Sequence, residues 1–253
     1  MKSEEHDIVE PTPRKQSSLF ERLTNVFVSP GEVFSELRGV PADSMNWAVP
    51  MVAMIVMGIL FSVAVFSQES VVQGMREASI AEIDIMVEEG EMTQTQADKA
   101  AVWVEKIMSS KLVMLLGIVG SVFGTPIIWL IIAFLFHWIV RIASQSRIPF
   151  SKCFEVVGLS NVISTLGMIV TMPVVVLTGN IKMKLRLALV FQEFDPTEHL
   201  HALAAEVDIF RLWYIAVLAI AWSQLTLQPL SKCCAWLFGL WFAFCLGSIF
   251  LSL

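Results

Sequence analysis

Five stretches of this chain carry no Asp, Glu, Lys or Arg, and each is long enough to cross a bilayer. They cover residues 44–68, 112–140, 156–181, 212–231 and 233–253. A helix rises about 1.5 Å per residue, so roughly 20 apolar residues span a hydrocarbon core of about 30 Å. Backbone in lipid must satisfy its own hydrogen bonds, which makes these segments helices. Together they hold 121 of the 253 residues, so all 40 charges are confined to the other 132. That is too little polar chain to cover five buried helices of a soluble protein. Composition agrees: charged residues are 16% and mean hydropathy is +0.70, against about 25% charged in soluble domains.

The expectation is an all-α integral membrane protein, a bundle of five transmembrane helices with short interfacial amphipathic helices. The spans fall at about 45–67, 112–140, 156–178, 212–230 and 233–251. Residues 1–16 read as a disordered polar tail and 17–44 as the interfacial helices. Residues 45–253 form the membrane domain, with extramembrane helical segments at 68–110 and 179–207. No cleavable signal peptide is evident, because the first apolar run comes too late and is too long. A net charge of −6 argues against nucleic acid as a partner; the spans imply contact with membrane lipids.

Ahead of the first span, Leu19, Phe20, Leu23, Val26 and Phe27 recur at helical spacing. Ser29-Pro30-Gly31-Glu32 then offers Ser at the N-cap, Pro at N1 and Glu at N3, a capping box opening a second short helix. Val33, Phe34 and Leu37 share one face of it. Such pieces are expected to lie flat in the headgroup region. They either anchor the end of the bundle or present Phe20, Phe27, Pro30 and Phe34 to a protein partner. Residues 68–110 read as a helical hairpin broken at Glu88-Glu89-Gly90, with Thr93–Gln96 capping its second helix.

Pro126 should kink the second span. Gly120-x-x-x-Gly124 lets a neighbouring backbone approach, more often within one chain than between copies. The third span is polar in its first half, at Ser160, Asn161, Ser164 and Thr165, and holds Pro173 in its second. Small hydroxyl and amide groups there either glue helices together or line a path for a solute. The last two spans turn tightly near Pro229-Leu230-Ser231.

Lys and Arg favour the cytoplasmic side. Five lie in the N-terminal tail, and Arg141, Arg147 and Lys152 lie between spans two and three. Segment 68–110 has three against nine acids. The N-terminus is therefore expected inside and the C-terminus outside; Lys182, Lys184 and Arg186 run against that rule.

Chemistry is sparse. His137 sits near the end of span two without a carboxylate partner in the membrane, so a hydrogen bond there is favoured over a proton relay. Glu155 follows Lys152 by three residues, which fits a local charge pair. His199 and His201, two apart near Asp195 and Glu198, read as an exposed polar stretch rather than a metal site. Cys153, Cys233, Cys234 and Cys245 have no metal-ligand spacing and read as packing residues. No catalytic motif of metalloprotease, serine hydrolase, P-loop or dinucleotide type is present. No cofactor, metal or catalytic residue is expected.

Three stretches together resemble the Yip family of Ypt-interacting-protein domains. Arg22-Leu23-Thr24-Asn25-Val26-Phe27-Val28-Ser29-Pro30 with Val33-Phe34 is similar to the family's opening segment. His137-Trp138-Ile139-Val140-Arg141, Pro149-Phe150 and Phe154-Glu155-Val156 are similar to its second-to-third-span junction. Asp208-Ile209-Phe210-Arg211-Leu212-Trp213, Ser231-Lys232 and Trp241 are similar to its final hairpin. Ser144-Gln145-Ser146 stands where the family often has Gly-Gly, and Ala221-Trp222 where it often has Gly. The resemblance implies a five-span bundle with a cytoplasmic N-terminus and no catalytic residues. With a short N-terminal tail and no Asp-Leu-Tyr-Gly-Pro motif, a bacterial inner-membrane member is expected, and GTPase binding is not carried over. Two functions remain: a scaffold or adaptor that binds other proteins or itself, or a transporter or channel for a small or lipid-like solute.

Overall fold

A computed structural model describes residues 17–179 and 208–251, with side chains up to Gly247. The expected tail, nearly all of the 179–207 segment, Lys182, Lys184, Arg186, His199 and His201 lie outside the described residues. Two short helices open the chain, α1 (Leu19–Val28) and α2 (Pro30–Glu36). Then come α3 (Met45–Phe66), the hairpin α4 (Glu69–Glu88) and α5 (Gln94–Ile107), and α6 (Ser110–Val119). A π-helical turn at Gly120–Gly124 joins α6 to α7 (Thr125–Ser144). After it follow α8 (Phe150–Ser160), α9 (Val162–Thr178), α10 (Ile209–Thr226) and α11 (Leu230–Leu251).

Five of the described helical stretches are long and apolar enough to cross a membrane: α3, α6–α7, α8–α9, α10 and α11. The protein is thus an all-α, multi-pass membrane protein. Its outward-facing Leu130, Phe134 and Trp138 are lipid contacts. One end of the bundle holds α1, α2, the α7–α8 junction and the α10–α11 turn. The α4–α5 hairpin sits at the other end, where Val65, Val71 and Val175 close a small core of their own.

Several boundaries differ from the sequence reading. The third span starts at Phe150 rather than 156, because Pro149 caps it in extended backbone and its two charges find partners within the fold. The α10–α11 turn lies slightly earlier than expected. Leu227 is left-handed (φ 58°), and the Pro229 carbonyl accepts from the N–H groups of Lys232 and Cys233 at 3.1 and 3.3 Å. The Pro126 kink takes the form of the π-helical turn just before it. Proline has no N–H for the ladder, and the wide turn absorbs the missing bond.

The closest approach of α3 and α6–α7 uses two matching pairs. A Cβ on Gly58 would lie 2.9 Å from Ser121 Cβ, and one on Gly117 would lie 3.0 Å from Ser62 Cβ. Each serine hydroxyl donates to the glycine carbonyl one turn back on its own helix, Ser62 to Gly58 and Ser121 to Gly117, both at 2.8 Å. Gly58-x-x-x-Ser62 and Gly117-x-x-x-Ser121 therefore interlock antiparallel. Close packing between α3 and α6–α7 falls to these residues rather than to Gly120 and Gly124, around whose would-be Cβ nothing lies within 4 Å.

At the other end, α1 and α2 form an antiparallel hairpin. Ser18 and Glu21 make a capping box on α1, and Ser17 Oγ donates to Glu36 Oε2 at 2.5 Å, tying the start of α1 to the end of α2. Ser29 is the N-cap of α2 with Pro30 at N1, but its side chain makes no capping bond. Its N–H still closes α1 on Asn25 O, which leaves its backbone (φ −135°, ψ 56°) outside the usual cap geometry. The pair packs against the bundle. Phe27 packs edge-on against Trp213, with ring centroids 5.8 Å apart, and Arg38 Nε donates to Gln224 O at 2.6 Å. Those two α10 positions lie about 16 Å apart along the axis at about 1.5 Å per residue. Val26, Val33, Phe34 and Leu37 join the main core with Val156, Leu159, Ile163 and Trp222. An apolar stripe of that width is buried fully only by insertion among helices.

Candidate functional site

The inserted hairpin rests on a buried charge network. Glu155, on the second turn of α8, is wholly buried. Its Oε1 accepts from Asn46 Nδ2 at 2.5 Å and from the Asp43 N–H at 3.2 Å. Its Oε2 lies 2.5 Å from Lys152 Nζ, a charge contact without hydrogen-bond angles. Lys152 Nζ donates instead to Pro41 O at 3.3 Å. Asn46 Oδ1 accepts from Arg22 Nη1 at 3.3 Å, and Arg22 lies 3.8 Å from Asp43 Oδ2. Two cations and two anions balance, which is the condition for burying charge. The chain Lys152–Glu155–Asn46–Arg22 links α8, α3 and α1 and fixes where the hairpin sits.

Sequence reasoning found the Lys152–Glu155 pair and missed Arg22, Asp43 and Asn46. Nothing local links Arg22 to a residue 24 positions away. Beside the network lies a cavity of about 520 Å³ walled by Leu37, residues 39–42 and 146–149, Lys152 and Leu225.

The structure divides the four docking candidates. Phe20 is 74% exposed and Phe34 is fully buried; Phe27 and Pro30 are half-buried. Val28, which sequence reasoning did not single out, is 81% exposed at the hairpin tip. Phe34 is a core residue because α2 turns that face toward α10, where Gly31 approaches Ile220 and Gln224.

Residues of the polar half-span serve different ends. Ser160 is buried and its hydroxyl has no partner. Asn161 sits at the break between α8 and α9, its Nδ2 donating to Val157 O at 2.9 Å and lying 3.5 Å from Tyr214 Oη. Ser164 faces a cavity of about 450 Å³ between α3, α7, α9 and α10. His137 Nδ1 lies 3.6 Å from Cys153 Sγ, and its ring meets Phe150 edge-on. Cys153, Cys233 and Cys245 are buried and Cys234 is half-buried. Gln145 ends α7 in left-handed backbone (φ 51°), a conformation glycine adopts at least cost. It lies in the Ser144-Gln145-Ser146 stretch that stands where the resemblance has Gly-Gly.

A five-span helical bundle with an inserted amino-terminal hairpin defines the class: a polytopic membrane protein without strands among its described residues. The sequence profile of the Yip1 domain matches residues 24–252, nearly the whole chain, and the protein belongs to that family. Comparison with curated protein sequences and with solved structures gives no match.

Proposed function

We propose that this Yip1-domain protein is a non-enzymatic membrane scaffold or adaptor that binds other proteins through its amino-terminal hairpin. One observation carries the reading. The hairpin is fixed by its core-facing stripe and by Arg22, yet it turns Phe20 and Val28 outward, 74% and 81% exposed. A rigid element presenting large apolar side chains beside the membrane suits a protein contact. We place the protein in a bacterial inner membrane with its N-terminus in the cytoplasm and its C-terminus outside. Arg22, Arg38, Arg141, Arg147, Lys152 and Lys232 belong to the hairpin end of the bundle, whereas segment 68–110 has nine acids and three bases, the asymmetry that orients membrane proteins.

The test is in-cell photo-crosslinking from position 20, with the buried position 34 as control. A stoichiometric protein adduct from 20 and none from 34 is expected. Adducts from 20 to lipid alone would refute the docking role.

A further inference from the structure

We propose that the cavity between α3, α7, α9 and α10 binds one uncharged amphiphile, a lipid with a hydroxyl or ester group on an apolar chain. This site stands apart from the adaptor reading and uses none of the hairpin residues. Its volume, about 450 Å³, falls within the roughly 300–1,000 Å³ of small-molecule sites. Most of the wall is apolar, with Met54 and Phe61 from α3 facing α9 and α10.

Four neutral polar groups converge on it: Asn161 at the N-cap of α9, Ser164 and Thr171 of α9, and Tyr214 of α10. Asn161, Ser164 and Thr171 follow at intervals of three and seven, so they share one face. Among the described residues the Ser164 hydroxyl makes no hydrogen bond, and that of Thr171 makes none either. The Tyr214 hydroxyl lies 3.5 Å from Asn161 Nδ2 and its own proton has no acceptor. Groups of this kind inside a membrane bundle normally find partners on neighbouring helices. Here they point at shared empty space, so the partner they fit is a ligand.

The charge pattern sets the ligand class. Asp208 and Arg211 also border the cavity, but Arg211 is already engaged by a partner and the Asp208 carboxylate caps α10, accepting from the N–H groups of Phe210 and Arg211 at 2.7 and 3.4 Å. The groups left to read a ligand are therefore uncharged donors and acceptors beside an apolar wall. An ionic headgroup would find no free counter-charge among them, and a pure hydrocarbon would leave the hydroxyls of Ser164, Thr171 and Tyr214 without an acceptor.

The experiment uses the full protein in phosphatidylcholine nanodiscs and a monoacylglycerol with a photoactivatable acyl chain, mapped by mass spectrometry. Saturable labelling of α3, α9 and α10, competed by unlabelled monoacylglycerol, is expected. Thr171→Val and Tyr214→Phe should each weaken labelling about two- to tenfold, the range of one neutral hydrogen bond. Ser164→Leu, which fills the space, should abolish it. A photoactivatable alkane of equal length should label lipid-facing residues such as Leu130 and Phe134 instead. Labelling of the cavity that does not saturate, or that the alkane gives equally well, overturns the proposal. Should a variant fail to fold, competition on the unaltered protein decides alone.

Discussion

Replacing Glu155 by Gln isolates the energetics of the buried network. The side chain keeps its shape, and its amide oxygen can still accept from Asn46, but Lys152 loses its counter-charge. Opposite unit charges 2.5 Å apart attract by about 7 kcal/mol at an effective dielectric near 20. Desolvation of each ion offsets several kcal/mol of that, so the intact pair contributes little net stability. Breaking it is different. The Lys152 side chain is only 6% exposed, and a lone buried ammonium held by Pro41 O alone costs about 3–5 kcal/mol. In a chain of this size 1 kcal/mol moves the unfolding midpoint by about 2–4 °C, so Glu155→Gln should lower it by about 6–20 °C. Lys152→Met should cost less, since the carboxylate keeps two N–H donors. The double variant Lys152→Met/Glu155→Gln carries neither charge and should return close to the original midpoint. The buried thiols of Cys153, Cys233 and Cys245 supply the assay, becoming reactive to a maleimide fluorophore as the detergent-solubilised protein is heated. Single variants within 2 °C of the parent, or a double variant as weak as the two losses added, would refute the reasoning.

Gly58→Leu should lower the same midpoint, because its Cβ meets Ser121 Cβ at 2.9 Å and overpacking costs about 1–3 kcal/mol or more. Gly124→Leu, with nothing within 4 Å, should leave it within about 0.5 kcal/mol, the usual range for open surface positions; equal effects would remove the interlocked pairs from the packing account. A topology reporter joined after Leu253 should register outside the cytoplasm, and a cytoplasmic signal would overturn the proposed orientation.

Much of the architecture was legible because its cause is local and one-dimensional. Charge-free runs of bilayer length must be helices, whatever they pack against, so α3 begins at Met45 and ends at Phe66 much as the sequence indicates. The α4–α5 break is equally local, with Gly90 at positive φ and the Thr93 capping box just after it. The Ser29 box failed for a reason that spacing does not carry: one residue closes α1 and opens α2, and the first task sets its backbone.

The candidate sites were legible only in part. Small residues mark close packing by spacing, but spacing does not say which stripe faces inward. Gly120-x-x-x-Gly124 and Gly117-x-x-x-Ser121 lie on the same rod. Only the position of Gly58 and Ser62 across from it selects the second. Likewise, an apolar face on α2 is equally ready to meet lipid, a partner or the core, and Phe34 went to the core because α10 lies beneath it.

The sequence by itself determined that this chain lives in a membrane, which stretches are long and apolar enough to cross it and where the α4–α5 hairpin breaks, because hydropathy and glycine act within a turn or two. The tertiary structure alone decided that Arg22, Asp43, Asn46, Lys152 and Glu155 share one buried network, and that Asn161, Ser164, Thr171 and Tyr214 surround one cavity. Those groupings depend on which helix faces overlap in space, a property of the packed bundle that no single segment of the chain encodes.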